Sequence, residues 1–207
     1  MLDRQAIVRR HHPVLPHPHP LSPMSLGNGE FGFSADITGL QTFPESYDVP
    51  LSTQSNWGWH YTGGRGRYTT DDIRFQLFDT YGRQVPYPML PEDREEAYHW
   101  LRQNPHRLQL GSIAFRLLKE DGSQARIGDL TDIRQELNLW EGILYSRFTL
   151  EGKPVSVQTC CHPELDSIAL RVDSPLIQQG RLQLFVRFPA PDMQETGWDR
   201  NLFPVWE

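Results

Sequence analysis

Apolar and polar residues alternate along much of this chain, and the alternation predicts strands. In the first clear run, from Phe31 to Ile37, the odd-numbered positions are apolar and the even-numbered ones are glycine, serine and aspartate. Successive side chains of a strand point to opposite faces, so this run indicates a half-buried strand. The same period of two recurs at 73–77, 113–117, 133–139, 144–150, 155–159, 168–172 and 182–188.

Turn residues separate the later runs. Glu141-Gly142 and Gly152-Lys153 each lie between two consecutive runs and predict hairpin turns. No helical period interrupts the stretch from about 111 to 188, which therefore predicts an antiparallel meander of six strands. Because each strand has one apolar face, we expect packed sheets and a mainly β, antiparallel β-sandwich domain over 25–207.

One segment carries a helical pattern. Pro91 suits a first helical position, and the acidic residues that follow it suit the positive end of a helix dipole. Ala97, Trp100 and Leu101 then recur at i, i+3 and i+4, and Asn104-Pro105 ends the pattern. The sequence predicts one short helix inserted between strands.

Residues 1–24 are predicted to form an extended N-terminal arm. The run 11–20 holds four prolines, which fix φ, remove N–H donors and favour a polyproline II conformation. Four histidines alternate with them, but a flexible arm offers a metal no preformed geometry, and no cysteine or carboxylate joins the run. We predict an arm that wraps the domain, and no metal site.

Composition and charge narrow the class of protein. With 38% hydrophobic and 22% charged residues, the 207-residue chain is too apolar to be disordered. Its 26 acidic and 20 basic residues give a net charge of −6, which repels phosphate backbones, so no nucleic-acid partner is expected.

No stretch approaches the ~20 apolar residues that span a bilayer, and the N-terminus has no apolar signal-peptide core. No membrane association is therefore expected. The two cysteines, Cys160 and Cys161, are neighbours, and a disulfide between them would be strained. Free thiols and a cytoplasmic location follow from these features as expectations.

The densest group of candidate binding residues is the segment 55–61. It holds Asn56, Trp57, Trp59 and His60, together with Gly58, which indicates a loop. Aromatic rings stack on the apolar face of a sugar while amide and imidazole groups bond its hydroxyls, so the segment is a candidate carbohydrate-binding site. The alternative is that both tryptophans plug the core from one face of a strand.

Catalytic and cofactor motifs are absent. The chain has no glycine-rich phosphate loop, no dinucleotide fingerprint and no nucleophile elbow. Most carboxylates are expected to be surface or turn acids, and Asp36 before Ile37-Thr38-Gly39 suits an acid that closes a turn. We predict no catalytic residue and no cofactor in this chain. The carboxylates near glycines or aromatics are Glu30, Asp36, Glu45, Asp48, Glu141, Asp192 and Glu195.

Five segments carry a resemblance to a known group of proteins, and they are Leu21–Phe33, Asp36–Pro44, Ser55–His60, Asn104–Leu108 and Phe188-Pro189. In this order they resemble the opening of bacterial proteins with six-hairpin-glycosidase architecture, and more distantly the N-terminal domain of maltose-phosphorylase-like glycoside hydrolases. The arm departs from this pattern at His11-His12-Pro13, where related openings tend to have Arg-His-Asn-Pro. The resemblance runs from about residue 6 to the end of the sequence.

The resemblance implies a galactose-mutarotase-like β super-sandwich that packs against a C-terminal (α/α)6 barrel of the same protein. In that group the catalytic carboxylates lie on the barrel, and the sandwich can send a loop towards the active-site mouth. The chain would then be the non-catalytic front part of a carbohydrate-active enzyme. The aromatic residues near its end, such as Trp206, favour a piece of a longer protein, with a barrel-facing surface that could pair two copies into a homodimer.

Two other functions stay open at this point. A free-standing carbohydrate-binding module would bind sugar through Trp57 and Trp59 alone. A mutarotase-like epimerase would need His60 or His106 beside a carboxylate in a concave pocket, so that the two exchange protons at the anomeric centre.

Overall fold

The computed structural model describes residues 2–61, 66–88, 92–103 and 105–188. Strands and antiparallel sheets dominate this part of the chain, so the expectation of a mainly β, antiparallel fold is confirmed. Its α-helices are α1 (Arg4–Arg9), α2 (Glu95–Gln103) and α3 (Pro175–Gln178). Its strands are β1 (Val14–Leu15), β2 (Met24–Gly27), β3 (Phe31–Ala35), β4 (Thr53–Ser55), β5 (Trp59–His60), β6 (Gln76–Thr80), β7 (Arg83–Tyr87), β8 (His106–Arg107), β9 (Ser112–Leu117), β10 (Leu130–Asn138), β11 (Ile143–Leu150), β12 (Lys153–Cys161), β13 (Ile168–Asp173) and β14 (Leu182–Arg187).

The chain divides into two compact units. Of the described residues, 2–56 and 109–188 form the first unit, and those between 57 and 108 form the second. The range 25–207, which the sequence analysis treats as one β-sandwich domain, is thus interrupted by a separate unit. The alternation of single strands could not reveal this division, because it is a property of contacts between distant segments.

The largest sheet of the first unit has the strand order β1-β10-β11-β12-β13, and every pair in it is antiparallel. Its two predicted hairpin turns are present. Gly142 and Gly152 have φ values of +69° and +74°, in the left-handed region that glycine enters without steric cost.

The six-strand meander predicted for 111–188 is only partly present. Strands β10 to β13 form a meander, whereas β9 pairs with β14, and a further sheet has the order β2-β3-β4. Helix α3 lies between β13 and β14, where no helix was predicted. It begins at a Ser-Pro pair, with the Leu176 N–H donating to Ser174 Oγ at 3.2 Å, and four residues are too few to show a helical period.

The hydrophobic core of the first unit draws on all three of its sheets. Phe33 of β3, Phe115 of β9 and Phe148 of β11 are among its largest fully buried side chains. The run from Phe31 to Ile37 buries its apolar positions as predicted. The pairing of apolar faces therefore holds these sheets together.

A loop with many polar groups, 36–43, also runs through this core. Gln135 Nε2 donates to the backbone carbonyl of Asp36 at 2.7 Å, and Thr159 Oγ1 donates to that of Gly39 at 2.9 Å. Gly39 has φ +86°, and a Cβ there would lie 2.9 Å from a serine hydroxyl of β11. Polar side chains of the sheet thus replace the water that a surface loop would use.

The second unit contains the β5–β8 pair, the β6–β7 hairpin and α2. Trp100 of α2 makes edge-to-face contacts with Tyr61 and Tyr68, at ring-centroid distances of 6.2 and 5.7 Å. Ala97 faces inward and is 5% exposed, as the helical pattern predicts. The strand predicted at 73–77 begins later, at Gln76 of β6, and a 3-10 turn at Thr70–Asp72 lies before it.

The predicted helix over 91–104 is present as α2, preceded by a 3-10 turn at Glu92–Arg94. Pro91 and Asn104, which we expected to start and stop it, lie outside the described residues.

The arm 1–24 is not extended throughout, contrary to the prediction. Its first part is α1, and Asp3 Oδ1 caps this helix by accepting from the Ala6 N–H at 3.0 Å. The helix ends before the proline run, whose residues Val14 and Leu15 pair with β10 as an edge strand. Proline composition indicated the extended part, but the short capped helix before it has no apolar stripe long enough to detect.

Candidate functional site

The tryptophans of the candidate segment lie on the surface of the second unit. Trp57 is 70% exposed in a turn, and Trp59 is 51% exposed at the start of β5. The alternative that both plug the core is therefore wrong for this structure. Large aromatic side chains are favoured in interiors and interfaces, so two neighbouring exposed indoles form a recognisable feature of this surface.

Pairing with β8 fixes the backbone beneath these rings. The Leu108 N–H donates to the carbonyl of Gly58 at 2.7 Å, and Trp59 lies opposite Arg107 in the β5–β8 register. The Arg107 guanidinium carbon lies 4.9 Å from the centroid of the Trp59 ring, a cation–π contact. This contact orients the indole and places N–H donors next to it.

The same register places His60 opposite His106 along the backbone. These are the two histidines of the epimerase hypothesis, and the sequence alone could not bring them together, since 45 residues separate them. The histidine–carboxylate pair of that hypothesis stays a prediction.

Asn56 belongs to the first unit, whereas Trp57, Trp59 and His60 belong to the second. The side chain of Asn56 is exposed, and its backbone N–H donates to the carbonyl of Glu30 at 3.1 Å. The structure thus places three of the four predicted residues in the second unit. The fourth, Asn56, lies in the first unit, and its backbone bonds the turn between β2 and β3.

Asn28 organises the turn between β2 and β3, and the sequence did not single it out as a site residue. Asn28 Oδ1 accepts from the N–H groups of Glu30 and Phe31, at 3.0 and 2.8 Å. Its Nδ2 donates to the carbonyls of His162 and Leu165, at 3.1 and 3.3 Å. One side chain therefore joins two turns that are more than 130 residues apart in the chain, and the Gly27-Asn28-Gly29 turn was the only signal for it.

Asp36 is the carboxylate with the most unusual surroundings, and it is fully buried. Its Oδ1 accepts from the Thr38 N–H and hydroxyl at 2.7 and 2.6 Å, and its Oδ2 accepts from the Phe43 N–H at 2.6 Å. Burial raises the pKa of Asp36 to about 6 despite these hydrogen bonds. The prediction that it closes a turn is confirmed, and a carboxylate without solvent access organises the loop and does not contact a substrate.

None of the other candidate carboxylates that the structure describes is buried. Glu30, Glu45, Asp48 and Glu141 are exposed, and Asp192 and Glu195 lie outside the described residues.

The neighbouring cysteines are free, as predicted, and both are half-buried. Burial, with a smaller effect of Asp166, raises the pKa of the Cys161 thiol, and its Sγ donates to the His162 carbonyl at 3.4 Å. A thiol in this state is a poor nucleophile.

Two searches of the described residues concern metals and membranes. Among them, no group of three or more histidine, cysteine and carboxylate side chains could hold a metal ion. In the same part of the chain, no helix has the length and apolar character needed to cross a bilayer.

An exposed apolar strip runs along one face of β14. Leu184 and Val186 of β14, and Phe188 directly after it, form this strip and are 53%, 52% and 76% exposed. Contiguous exposed apolar residues of this kind mark interaction surfaces.

No family model matches the chain, and no curated protein matches it.

Proposed function

We propose that this chain is a non-catalytic domain of a carbohydrate-active enzyme of the glycoside hydrolase type, with a β super-sandwich architecture, and that it contacts sugar through Trp57 and Trp59. The observation that best supports this proposal is that Trp57 is 70% exposed and Trp59 is 51% exposed. A ligand that covers them removes apolar area from water, which is favourable by roughly 25 cal/mol per Å². The apolar face of a pyranose ring suits such a surface.

Polar groups beside the indoles support a sugar more than a purely apolar ligand. The Arg107 guanidinium lies against the Trp59 ring, and His60 follows Trp59 in β5. Sugar sites combine an aromatic surface with a few donors and acceptors that fix orientation, and both components occur within this one unit.

The catalytic groups of the enzyme lie, on this proposal, on the C-terminal (α/α)6 barrel of the resemblance. The buried position of Asp36 supports this assignment, because the one described carboxylate with a raised pKa is inaccessible. The exposed strip on β14 supports a partner surface for the barrel or for a second copy. The role of the domain is to support the barrel and to help line the mouth of its active site.

A free-standing carbohydrate-binding module is the second candidate, and the same exposed indoles favour it. The two candidates differ in what the isolated chain does. A module binds glycan by itself with full affinity, whereas a domain that lines another domain's active site binds weakly alone.

Glycan-array screening of the 207-residue protein, followed by calorimetric titration of the best ligand, tests the site. We expect saturable binding that falls at least tenfold in Trp57→Ala and in Trp59→Ala, because each removes an exposed stacking surface. Trp140→Ala is the matched control, since Trp140 is 48% exposed in the first unit and should leave affinity unchanged.

Two results would contradict the proposal. A folded protein that gives no saturable binding in calorimetric titration, even at high glycan concentration, would contradict a sugar site at Trp57 and Trp59. Release of reducing ends from an oligosaccharide by the chain itself would contradict a non-catalytic role.

A further inference from the structure

The outward face of the five-stranded sheet carries a row of polar side chains across four strands. Arg134 of β10 lies opposite Arg147 of β11, Arg147 opposite Ser156 of β12, and Ser156 opposite Asp173 of β13. Neighbouring strands are about 4.8 Å apart, so Arg147 and Asp173 flank Ser156 across roughly 10 Å.

The two arginines violate a rule of strand pairing. Like charges directly opposite each other on neighbouring strands are destabilising. Arg134 is compensated, since its Nη2 lies 2.7 Å from Glu136 Oε2. Within the described residues, the Arg147 side chain has no hydrogen bond or ion pair, although the chain carries six more acidic than basic residues. The Arg147 guanidinium therefore has donors that can hydrogen-bond the oxygens of a ligand carboxylate.

A depression of about 340 Å³ opens at the same place. Arg147, Ser156 and Asp173 line it together with Asp132, and Pro154 and Pro175 add apolar surface. Its volume is in the range of small-ligand sites.

A bulge brings Asp132 to this depression. The β10–β11 register shifts between Thr131 and Arg134, and Asp132 has φ +50° in the extra residue's place. Bulges re-aim side chains, and here the bulge adds a second carboxylate to a wall that already has an arginine.

We infer that this depression binds an acidic sugar residue, such as a uronic acid. The planar Arg147 guanidinium matches the sugar carboxylate and donates two parallel hydrogen bonds to it. Ser156, Asp173 and Asp132 bond the ring hydroxyls, because a carboxylate accepts hydroxyl protons and a serine both donates and accepts. Pro154 and Pro175 pack against the C–H face of the ring.

This site is independent of the proposed function at Trp57 and Trp59, since it uses other residues in the other unit. Each can fail without the other. Trp57→Ala must leave acidic-sugar binding unchanged, and Arg147→Ala must leave binding at the indoles unchanged.

Calorimetric titration of the full chain with a galacturonic acid trisaccharide, a neutral galactose trisaccharide and sodium sulfate tests the inference. We expect saturable binding of the acidic trisaccharide and at least tenfold weaker binding of sulfate. Any binding of the neutral trisaccharide should be the same in the wild type and in Arg147→Ala, because it does not use this depression. Arg147→Ala should weaken acidic-sugar binding at least tenfold. Arg147→Lys should weaken it less, because lysine keeps the positive charge, but it should not reach the wild-type affinity, because lysine cannot donate two parallel hydrogen bonds. Asp173→Asn should weaken binding several-fold.

Arg116→Ala is the matched control, because Arg116 is an exposed arginine of β9, outside the five-stranded sheet. Equal loss of binding in this variant would indicate general charge attraction and would overturn the site. Equal affinity for sulfate and the acidic trisaccharide would overturn the sugar assignment, and unchanged binding in a folded Arg147→Ala variant would overturn both.

Discussion

The two units of this protein are stabilised in different ways. In the first unit, phenylalanines such as Phe33 and Phe148 are fully buried, and a polar loop crosses the core with its groups bonded by side chains of the sheets. In the second unit, the buried hydrophobic residue among those described is Ala97, while Trp57 and Trp59 are exposed. The difference indicates that the first unit is held together by a buried apolar core, whereas the second exposes large aromatic side chains at its surface.

The two units also differ in the kind of side-chain contact that holds them together. The second unit relies on edge-to-face and cation–π contacts near its surface, such as those of Trp100 and Trp59. Contacts of this kind contribute roughly 0.5–1.5 kcal/mol each, less than a fully buried aromatic ring. The second unit should therefore open locally at a lower free energy than the first.

The largest expected effect comes from removing a core ring of the first unit. Phe148→Ala should lower the free energy of unfolding by about 3–5 kcal/mol, because it loses apolar burial and leaves a cavity between packed sheets. Urea denaturation followed by circular dichroism measures this. Leu77→Ala, at a 62% exposed position of the second unit, should change the free energy of unfolding by less than ~0.5 kcal/mol. Equal losses in both variants would remove the contrast between the units.

The buried carboxylate of the first unit predicts a pH dependence. The pKa of Asp36 is raised from 3.8 to about 6, so the folded state holds its proton more tightly than the unfolded state. Its contribution to stability is complete below pH 3.8 and is lost as the pH rises through 6, by on the order of 3 kcal/mol.

Asp36→Asn removes this titration while leaving the surface acids in place. We measure the free energy of unfolding of the wild type and of Asp36→Asn in urea from pH 3.5 to 7.5. As the pH rises to 6, the free energy of unfolding of the wild type should fall relative to that of Asp36→Asn. A difference that stays constant over this range would show that the folded state does not raise the pKa of Asp36.

A smaller loss of stability is expected from removing the ring contacts of the second unit. Trp100→Ala removes the edge contacts with Tyr61 and Tyr68 and should cost about 1–2 kcal/mol, confined to that unit. Hydrogen exchange read by mass spectrometry should become about tenfold faster at the amides of α2 and stay unchanged in β10–β12. Faster exchange throughout the first unit would mean that the two units unfold as one.

Local sequence patterns predicted most of the strands and one helix. Alternation located β3 and β9 to β14 to within a few residues, and Gly142 and Gly152 fixed two hairpins, since period and turn chemistry are local properties. The same patterns missed α1 and α3, which are too short to show a helical period. Alternation also could not foresee that β9 pairs with β14, because pairing joins segments that are about 70 residues apart.

The candidate sites show the same limit more sharply. The sequence by itself determined a mainly β chain with free cysteines, a turn-closing Asp36 and an aromatic segment at Trp57 and Trp59. Only the tertiary structure decided that these indoles face solvent, that Asp36 is buried enough to raise its pKa, and that Arg147 lies opposite another arginine. The physical reason is that exposure, desolvation and cross-strand proximity depend on which distant segments pack together, and no residue carries that information alone.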